Sequence, residues 1–343
     1  MLGWLYGKIA NIRNSLYDKG TFKSYSLGLP VISVGNITMG GTGKTPLVAY
    51  ITELLDRKDK MACIISRGYG RRNPRKRVLV SNSKVLLTGP KDAGDEPYEL
   101  AQRLLNKAIV ISDADRLSAA KWARKTFNPS IFVLDDAFQH RRVKRDLDIV
   151  CIDAANPFRL LREPLENLAR ADVIVITRSD LAGDISDLKS RIAEFNPAAP
   201  IFTVKNRTSR LMEMLGPNVG TRDCSVKTPE EMAGKKIFAF CALGNPENFF
   251  EQLRREGFDI IAVKAFRDHH FYDQRDITGL EKKAKESGAE VMLTTIKDYV
   301  KLNGLDFDLP CLAVDSELVF DDEEGFRVLI YGLLSGGPFL SPQ

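Results

Sequence analysis

The sequence predicts an α/β protein: a mostly parallel sheet covered by helices, followed by a second, smaller α/β domain. Three observations predict this class. Short runs rich in Val and Ile recur along the chain with little polar alternation, the pattern of strands buried on both faces. Stretches with helical periodicity separate several of them, as crossover helices separate parallel strands. A looser stretch, roughly 196–235, carries Pro197, Pro200, Pro217, Gly220 and Pro229 and interrupts the pattern before strand signals resume.

In chain order the first strands are 31–34 (VISV), 62–65 (ACII), 108–111 (AIVI), 131–134 (IFVL), 148–152 (DIVCI) and 173–177 (VIVIT). Helices are expected at 46–58, 97–106 and 114–127. Beyond the loose stretch, 237–243, 260–266, 291–296 and 311–315 read as strands, and 322–334 as a closing helix whose packing the sequence leaves open. The expected divisions are an N-terminal helix at 1–25, a main domain at 26–200, a smaller one at 201–321 and a C-terminal helix at 322–343. A length of 343 residues suits two domains, and 44% hydrophobic with 28% charged residues is an ordinary globular composition. The net charge of +5 favours anionic partners such as phosphates or acidic lipid without demanding nucleic acid. Cysteines 63, 151, 224, 241 and 311 show no CxxC pair and no metal-finger spacing, so a reduced, cytoplasmic setting is expected. No run reaches the roughly 18 apolar residues of a spanning helix, and no secretory signal pattern opens the chain.

The most specific local signal is VISVGNITMGGTGKTP at 31–46, where a buried strand enters a glycine-rich turn and then a helix. Glycines let backbone N–H groups curl inward on phosphate oxygens, and the helix adds its N-terminal dipole. Thr38, Met39, Gly40, Gly41, Thr42, Gly43, Lys44 and Thr45 are therefore expected to cradle nucleotide phosphates, with Lys44 reaching the β- and γ-phosphates and Thr45 holding Mg²⁺. The expected fold is P-loop NTPase-like. Thr38 stands where the motif has its first glycine, which leaves flexibility to Gly40 and Gly41. Asp135 and Asp136, at the end of the 131–134 strand, are the candidate second metal element, and which lies closer to Mg²⁺ stays open. Thr177-Arg178-Ser179-Asp180 resembles the base-recognition element of P-loop GTPases with arginine for lysine, but an ordinary strand-end turn explains it equally well.

Further segments narrow the assignment: SRGYGR (66–71), AGDEP (93–97), DDAFQHRR (135–142), LREP (161–164) and FRDHH (266–270). In this order and spacing, together with the phosphate loop, they resemble the tetraacyldisaccharide 4′-kinase family over nearly the whole chain. The resemblance implies an enzyme of lipid A biosynthesis. It uses ATP and Mg²⁺ to phosphorylate the 4′-hydroxyl of an acylated glucosamine disaccharide 1-phosphate, giving lipid IVA. It implies Asp95 as acceptor of the sugar hydroxyl's proton, with neighbouring Glu96 orienting the site as the alternative, beside Lys44 in catalysis. It also implies His269 as a second-domain residue that closes over the site, its imidazole oriented by Asp268. Arg67 and Tyr69 are placed near the substrate or the transferring phosphate, and Gln139, His140, Arg162 and Glu163 near the active site. The remaining charges of the 67–77 stretch, Arg71, Arg72, Arg75, Lys76 and Arg77, are expected to face the substrate's 1-phosphate or anionic headgroups. His270 is left between a structural and a functional role. Ala137 departs from the family's usual glycine, which matters only where the backbone needs a positive φ.

Leu2, Leu5, Ile9, Ile12 and Leu16 recur at helical spacing, flanked by Trp4 and Tyr6, with Lys8, Lys19 and Lys23 off the stripe and Arg13 beside it. Such a helix lies in a bilayer interface or docks on the core. An acylated substrate favours the interface, hence a peripheral location on the cytoplasmic face of the bacterial inner membrane. Neither nucleic acid nor an obligatory protein partner is expected. Two rival classes are a P-loop GTPase switch or chaperone, motivated by the phosphate loop, Asp135-Asp136 and residues 177–180, and a nucleic-acid-binding ATPase, motivated by 67–77. The first leaves AGDEP and DHH without a task. The second conflicts with the balanced charge elsewhere.

Overall fold

A computed structural model describes the backbone of residues 2–214, 225–302 and 304–334, with side chains from residue 7 onward. The side chains of Leu2, Trp4, Leu5 and Tyr6, together with Pro217, Gly220 and Cys224, lie outside the described residues. The chain forms two compact units, Met1–Lys205 with Val319–Gln343, and Asn206–Leu318.

The first unit opens with α1 (Leu2–Asp18), β1 (Val31–Gly35), α2 (Lys44–Asp56), β2 (Ala62–Ser66) and β3 (Val78–Asn82). It continues through α3 (Pro90–Ala93), α4 (Asp95–Arg103), β4 (Ala108–Ser112), α5 (Arg116–Phe127) and β5 (Ile131–Asp135). β6 (Leu147–Asp153), β7 (Val173–Thr177) and α6 (Ser186–Phe195) follow, then the start of β8 (Ile201–Glu213). The strand order is β8-β7-β6-β1-β5-β2-β4-β3, parallel throughout except for β3 on β4. Every residue of β1, β2, β4, β5, β6 and β7 is buried, which is why these strands read as continuous apolar runs. Helix α5 covers one face through Leu117, Ala120 and Ala123 over Ile65, Ile111 and Phe132, while Ile192 and Leu168 join Ile176 and Phe138 in a separate cluster.

This topology positions the site. β1 lies between β5 and β6, and its register pairs Val34 with Asp135, so the glycine-rich turn leaves the sheet beside the two aspartates. Gly35 permits that approach, because a Cβ there would sit 2.5 Å from the Phe138 Cβ.

The second unit contains the remainder of β8, then β9 (Val226–Lys227), β10 (Ile237–Cys241), α7 (Pro246–Arg255), β11 (Ile260–Ala265), α8 (Gln274–Ser287), β12 (Val291–Thr295), α9 (Ile296–Leu302) and most of β13 (Cys311–Phe320). Its order is β11-β10-β12-β13-β8, with β9 antiparallel on β8. From β10 the chain goes outward to β11 and then returns to β12 on β10's other side. That creates a topological switch point at the carboxyl ends of β10 and β12, where open α/β sheets form crevices.

One expectation is corrected and one open question is answered. The stretch 196–235 is not uniformly loose, since it holds the 13-residue β8. Half-exposed and polar positions hid this strand, and Pro200 and Pro217 bracket it rather than break it. The closing helix α10 (Glu323–Leu334) packs in the first unit. Tyr50 of α2 donates to Glu323 at 2.8 Å, and buried Phe326 meets Phe202 and Phe320.

Candidate active site

The turn after β1 is held on several sides. Asn36 Nδ2 donates to Thr42 Oγ1 at 3.0 Å, and Met39 N donates to the Leu160 carbonyl at 2.8 Å. Thr38 forms an antiparallel bridge with Leu161 and keeps a negative φ, which is why a β-branched residue serves where the motif has glycine. Gly40 (φ 112°) and Gly43 (φ 73°) take the conformations that need glycine. Gly43 caps α2, so Lys44 and Thr45 occupy the helix's first turn, with Lys44 buried.

At the end of β5, Asp135 is fully buried, and Ser66 Oγ of β2 donates to its Oδ2 at 2.7 Å. Its Oδ1 is buried without a hydrogen-bond partner. Burial, then the negative charges of Glu96 and Asp136, push its carboxyl well above the usual range. Asp136 has the opposite electrostatics. Its backbone is left-handed (φ 48°), Lys44 Nζ lies 3.4 Å from Oδ1, and Arg162 Nη1 donates to both carboxylate oxygens at 3.0 Å. Burial opposes its ionisation, but Lys44 and Arg162 outweigh burial and hold its pKa at about 2. The residue that takes the positive φ here is Asp136, so Ala137 is tolerated without strain.

Arg162 reaches Asp136 because its segment runs along the start of the phosphate loop, with Arg162 N donating to the Ile37 carbonyl at 2.6 Å. Glu163 points elsewhere. Its buried carboxylate accepts from Asn14 of α1 at 3.0 Å and from Arg170 at 2.5 Å, so it anchors α1. Gln139 donates to the Asn36 carbonyl at 2.8 Å. His140 is held at a pKa of about 4 by burial and by the Arg116 charge, so its imidazole is neutral.

Gly68 and Gly94 bring SRGYGR and AGDEP into backbone contact: a Cβ on Gly94 would lie 2.8 Å from the Gly68 Cα. Ser112 ties the two, donating to the Ala93 carbonyl at 2.7 Å while Arg71 donates to its own carbonyl at 2.7 Å. This corner places Asp95, buried, and Glu96 in the first turn of α4. Arg67 and Tyr69 are exposed. Arg71 and Arg77 do not face outward as expected. Arg71 is buried, and Arg77 pairs with Asp113 at 2.7 Å and covers Trp122. They brace this corner.

Sequence reasoning missed Arg116, whose buried guanidinium donates to the Asp135 and Asp136 carbonyls at 3.3 and 3.4 Å. It also missed Ser66 and Asn36. All three stand at or just beyond the carboxyl ends of strands, and that position was the available signal.

In the second unit, His269 follows β11 with a left-handed backbone (φ 61°), a strained conformation typical of functional sites. Asp268 sits between it and α9: Oδ2 is 3.6 Å from His269 Nε2, and Lys297 donates to Oδ1 at 3.3 Å. His270 pairs with Asp276 at 2.8 Å and stacks on Phe266.

The residues fit a nucleotide triphosphate with a divalent cation. A helix N-terminus, a buried lysine and a carboxylate with an open, buried oxygen are complementary to phosphates and Mg²⁺, which takes one or two carboxylates plus phosphate oxygens. Among the described residues no group of three His, Cys, Asp or Glu side chains forms a self-sufficient metal cage.

The family model described as LpxK, tetraacyldisaccharide-1-P 4′-kinase, matches residues 1–335. The chain belongs to that family. Its activity is accordingly that of a tetraacyldisaccharide 4′-kinase of lipid A biosynthesis. The tetraacyldisaccharide 4′-kinase of Chlorobaculum parvum is 37% identical over 309 residues, covering 87% of this chain and 82% of that protein. That of Desulfotalea psychrophila is 36% identical, covering 90% of each. Among solved structures, LpxK from Aquifex aeolicus in complex with ATP matches with a TM-score of 0.76 and 34% identity over 97% of each chain. Membership sets aside the alternative of a GTPase switch or chaperone.

Proposed function

We propose that this kinase transfers the γ-phosphoryl group of ATP to the 4′-hydroxyl of tetraacylated glucosamine disaccharide 1-phosphate, giving lipid IVA. The observation that carries this reading is the convergence of Lys44 and Arg162 on Asp136, beside an Asp135 oxygen that is buried and unpartnered. Residues Thr38–Thr45 cradle the phosphates, and Lys44 moves from Asp136 toward the transferring group. Asp135, through its unpartnered oxygen, and the Thr45 hydroxyl would hold Mg²⁺, while Asp136 keeps Arg162 in place and releases Lys44 when phosphate binds. When bound, the cation neutralises charge on the phosphoryl oxygens. Asp95 accepts the sugar hydroxyl's proton, with Glu96 orienting the corner. His269, set by Asp268 and Lys297, is the second unit's acid–base group. Arg67 and Tyr69 are left exposed to meet the substrate.

The same reading places the enzyme on the cytoplasmic face of the bacterial inner membrane, peripherally. No described helix is long and apolar enough to cross a membrane. Helix α1 turns Ala10 and Asn14 inward and leaves Ile9 and Ile12 57% and 62% exposed, two apolar side chains free to meet a bilayer interface beside exposed Lys8 and Asn11. Mass spectrometry of the lipid after incubation with enzyme, ATP and Mg²⁺ tests the reaction. The expected product carries one added phosphate at the 4′ position. An unchanged disaccharide 1-phosphate with an active, folded enzyme preparation overturns it.

A further inference from the structure

Thr177 closes β7, and Arg178 follows in a left-handed conformation (φ 52°) that few non-glycine residues adopt. Both side chains turn to the phosphate loop. Thr177 Oγ1 lies 3.1 Å from the Thr42 carbonyl and 3.3 Å from the Ile152 carbonyl, which share its hydroxyl proton. The Arg178 guanidinium donates to the Gly41 carbonyl. It is held from behind by Asp153 at the end of β6, with Nε donating to Oδ1 at 2.9 Å and Nη2 lying 2.7 Å from Oδ2. Gly43 seats on the same residue, since a Cβ there would come within 3.2 Å of Thr177.

A trans peptide carries its C=O and N–H on opposite sides. Fixing the Gly41 and Thr42 carbonyls toward β7 therefore turns the N–H groups of Thr42 and Gly43 the other way. Those are amides of the loop that cradles phosphates. The Asp153 carboxylate also neutralises Arg178, so the guanidinium acts on the loop as a paired donor rather than as a free cation.

We infer that Arg178, held by Asp153, is a positioning residue that presets the phosphate loop's amides for a triphosphate, and that the 177–180 segment does not read the base. This rests on the assignment of residues 38–45 to nucleotide phosphates. The test is calorimetric binding of ATP, GTP and inorganic tripolyphosphate to Arg178→Ala, Arg178→Lys, Asp153→Asn and Lys44→Ala enzymes, with steady-state rates alongside and thermal melts to confirm folding. Losing a charge-assisted bond to the loop should weaken ATP and tripolyphosphate by a common factor, about 10- to 100-fold. The preference between ATP and GTP should stay as in the wild type, and KM for ATP should rise more than kcat falls. Arg178→Lys keeps a donor and should recover part of the loss, which remains informative if the alanine variant unfolds. Asp153→Asn separates bracing from direct phosphate contact: a brace loses affinity, whereas a cation freed to touch phosphate gains it. Tripolyphosphate binding at wild-type strength in Arg178→Ala overturns the inference, and an altered ATP to GTP preference assigns the segment to the base instead. If Lys44→Ala too binds tripolyphosphate like wild type, the phosphate-loop assignment itself has failed.

Discussion

Replacing Glu163 by alanine separates an anchoring carboxylate from a substrate-binding one. The Glu163 side chain is wholly buried, accepts from Arg170 at 2.5 Å and Asn14 at 3.0 Å, and has Arg13 at 3.6 Å. Arg170 is itself mostly buried, with 16% of its side chain exposed, and stacks on Phe138 at 4.1 Å, so water only partly replaces its partner when that goes. Removing one member of such a pair costs about 3–5 kcal/mol, mostly the uncompensated charge left behind. Asn14 adds little, because it keeps Asn167 as a second acceptor at 3.0 Å. Glu163→Gln keeps shape and an acceptor and should lose about 1–3 kcal/mol. Arg13→Ala removes a partly exposed partner and should lose less than about 1 kcal/mol. Urea midpoints followed by far-UV circular dichroism should fall in that order, with proteolytic release of α1 following the same ranking. A Glu163→Ala enzyme that keeps the wild-type midpoint yet loses turnover would falsify the anchoring role and put the carboxylate on the substrate.

Asp95→Ala and His269→Ala should each lower kcat, by about 10²–10⁴-fold for the base, while nucleotide affinity measured by calorimetry changes far less. Affinity lost in proportion to rate would make Asp95 a metal or nucleotide ligand. Ile9→Gln with Ile12→Gln should reduce sedimentation with anionic liposomes without moving the unfolding midpoint, because both side chains are exposed. Undiminished sedimentation would argue that α1 only docks. The folded chain holds His140 at about 4, below the roughly 6.5 of a free histidine, so the unfolded chain binds a proton in that window that the fold refuses. Stability should therefore fall as pH drops from about 6.5 to about 4, and His140→Asn should flatten that slope. Identical midpoints against pH for both proteins would refute it.

Much of the first unit was legible because its signals are local. β7 is bounded where its apolar run ends, at Val173 and Thr177, and the loop from Gly40 to Thr45 declares itself by glycines in fixed order before a helix. Asp135 and Asp136 followed from a buried strand that ends in two acids, and β5 indeed neighbours β1. β8 escaped notice because its burial is partial and its polar residues interrupt the alternation. Arg71 looked like part of a solvated basic run, since nothing within that run reveals that its partner is Ser112, beyond β3 and α4.

The sequence by itself determined the α/β class, the glycine-rich turn that leads into a helix, the buried strand that ends in two aspartates and, through its motifs, the family. These are properties of contiguous residues, whose burial and backbone conformation leave a pattern of apolar runs, glycines and acids. Only the tertiary structure decided what the isolated charges do. Glu163 meets Asn14 across 149 positions, Arg178 meets Gly41 across 137, and Arg162 meets Asp136 across 26. An ionised side chain takes its energy from whichever partner shares its buried surroundings. That partner is chosen by how the strands order themselves in the sheet, which no local pattern in the chain encodes.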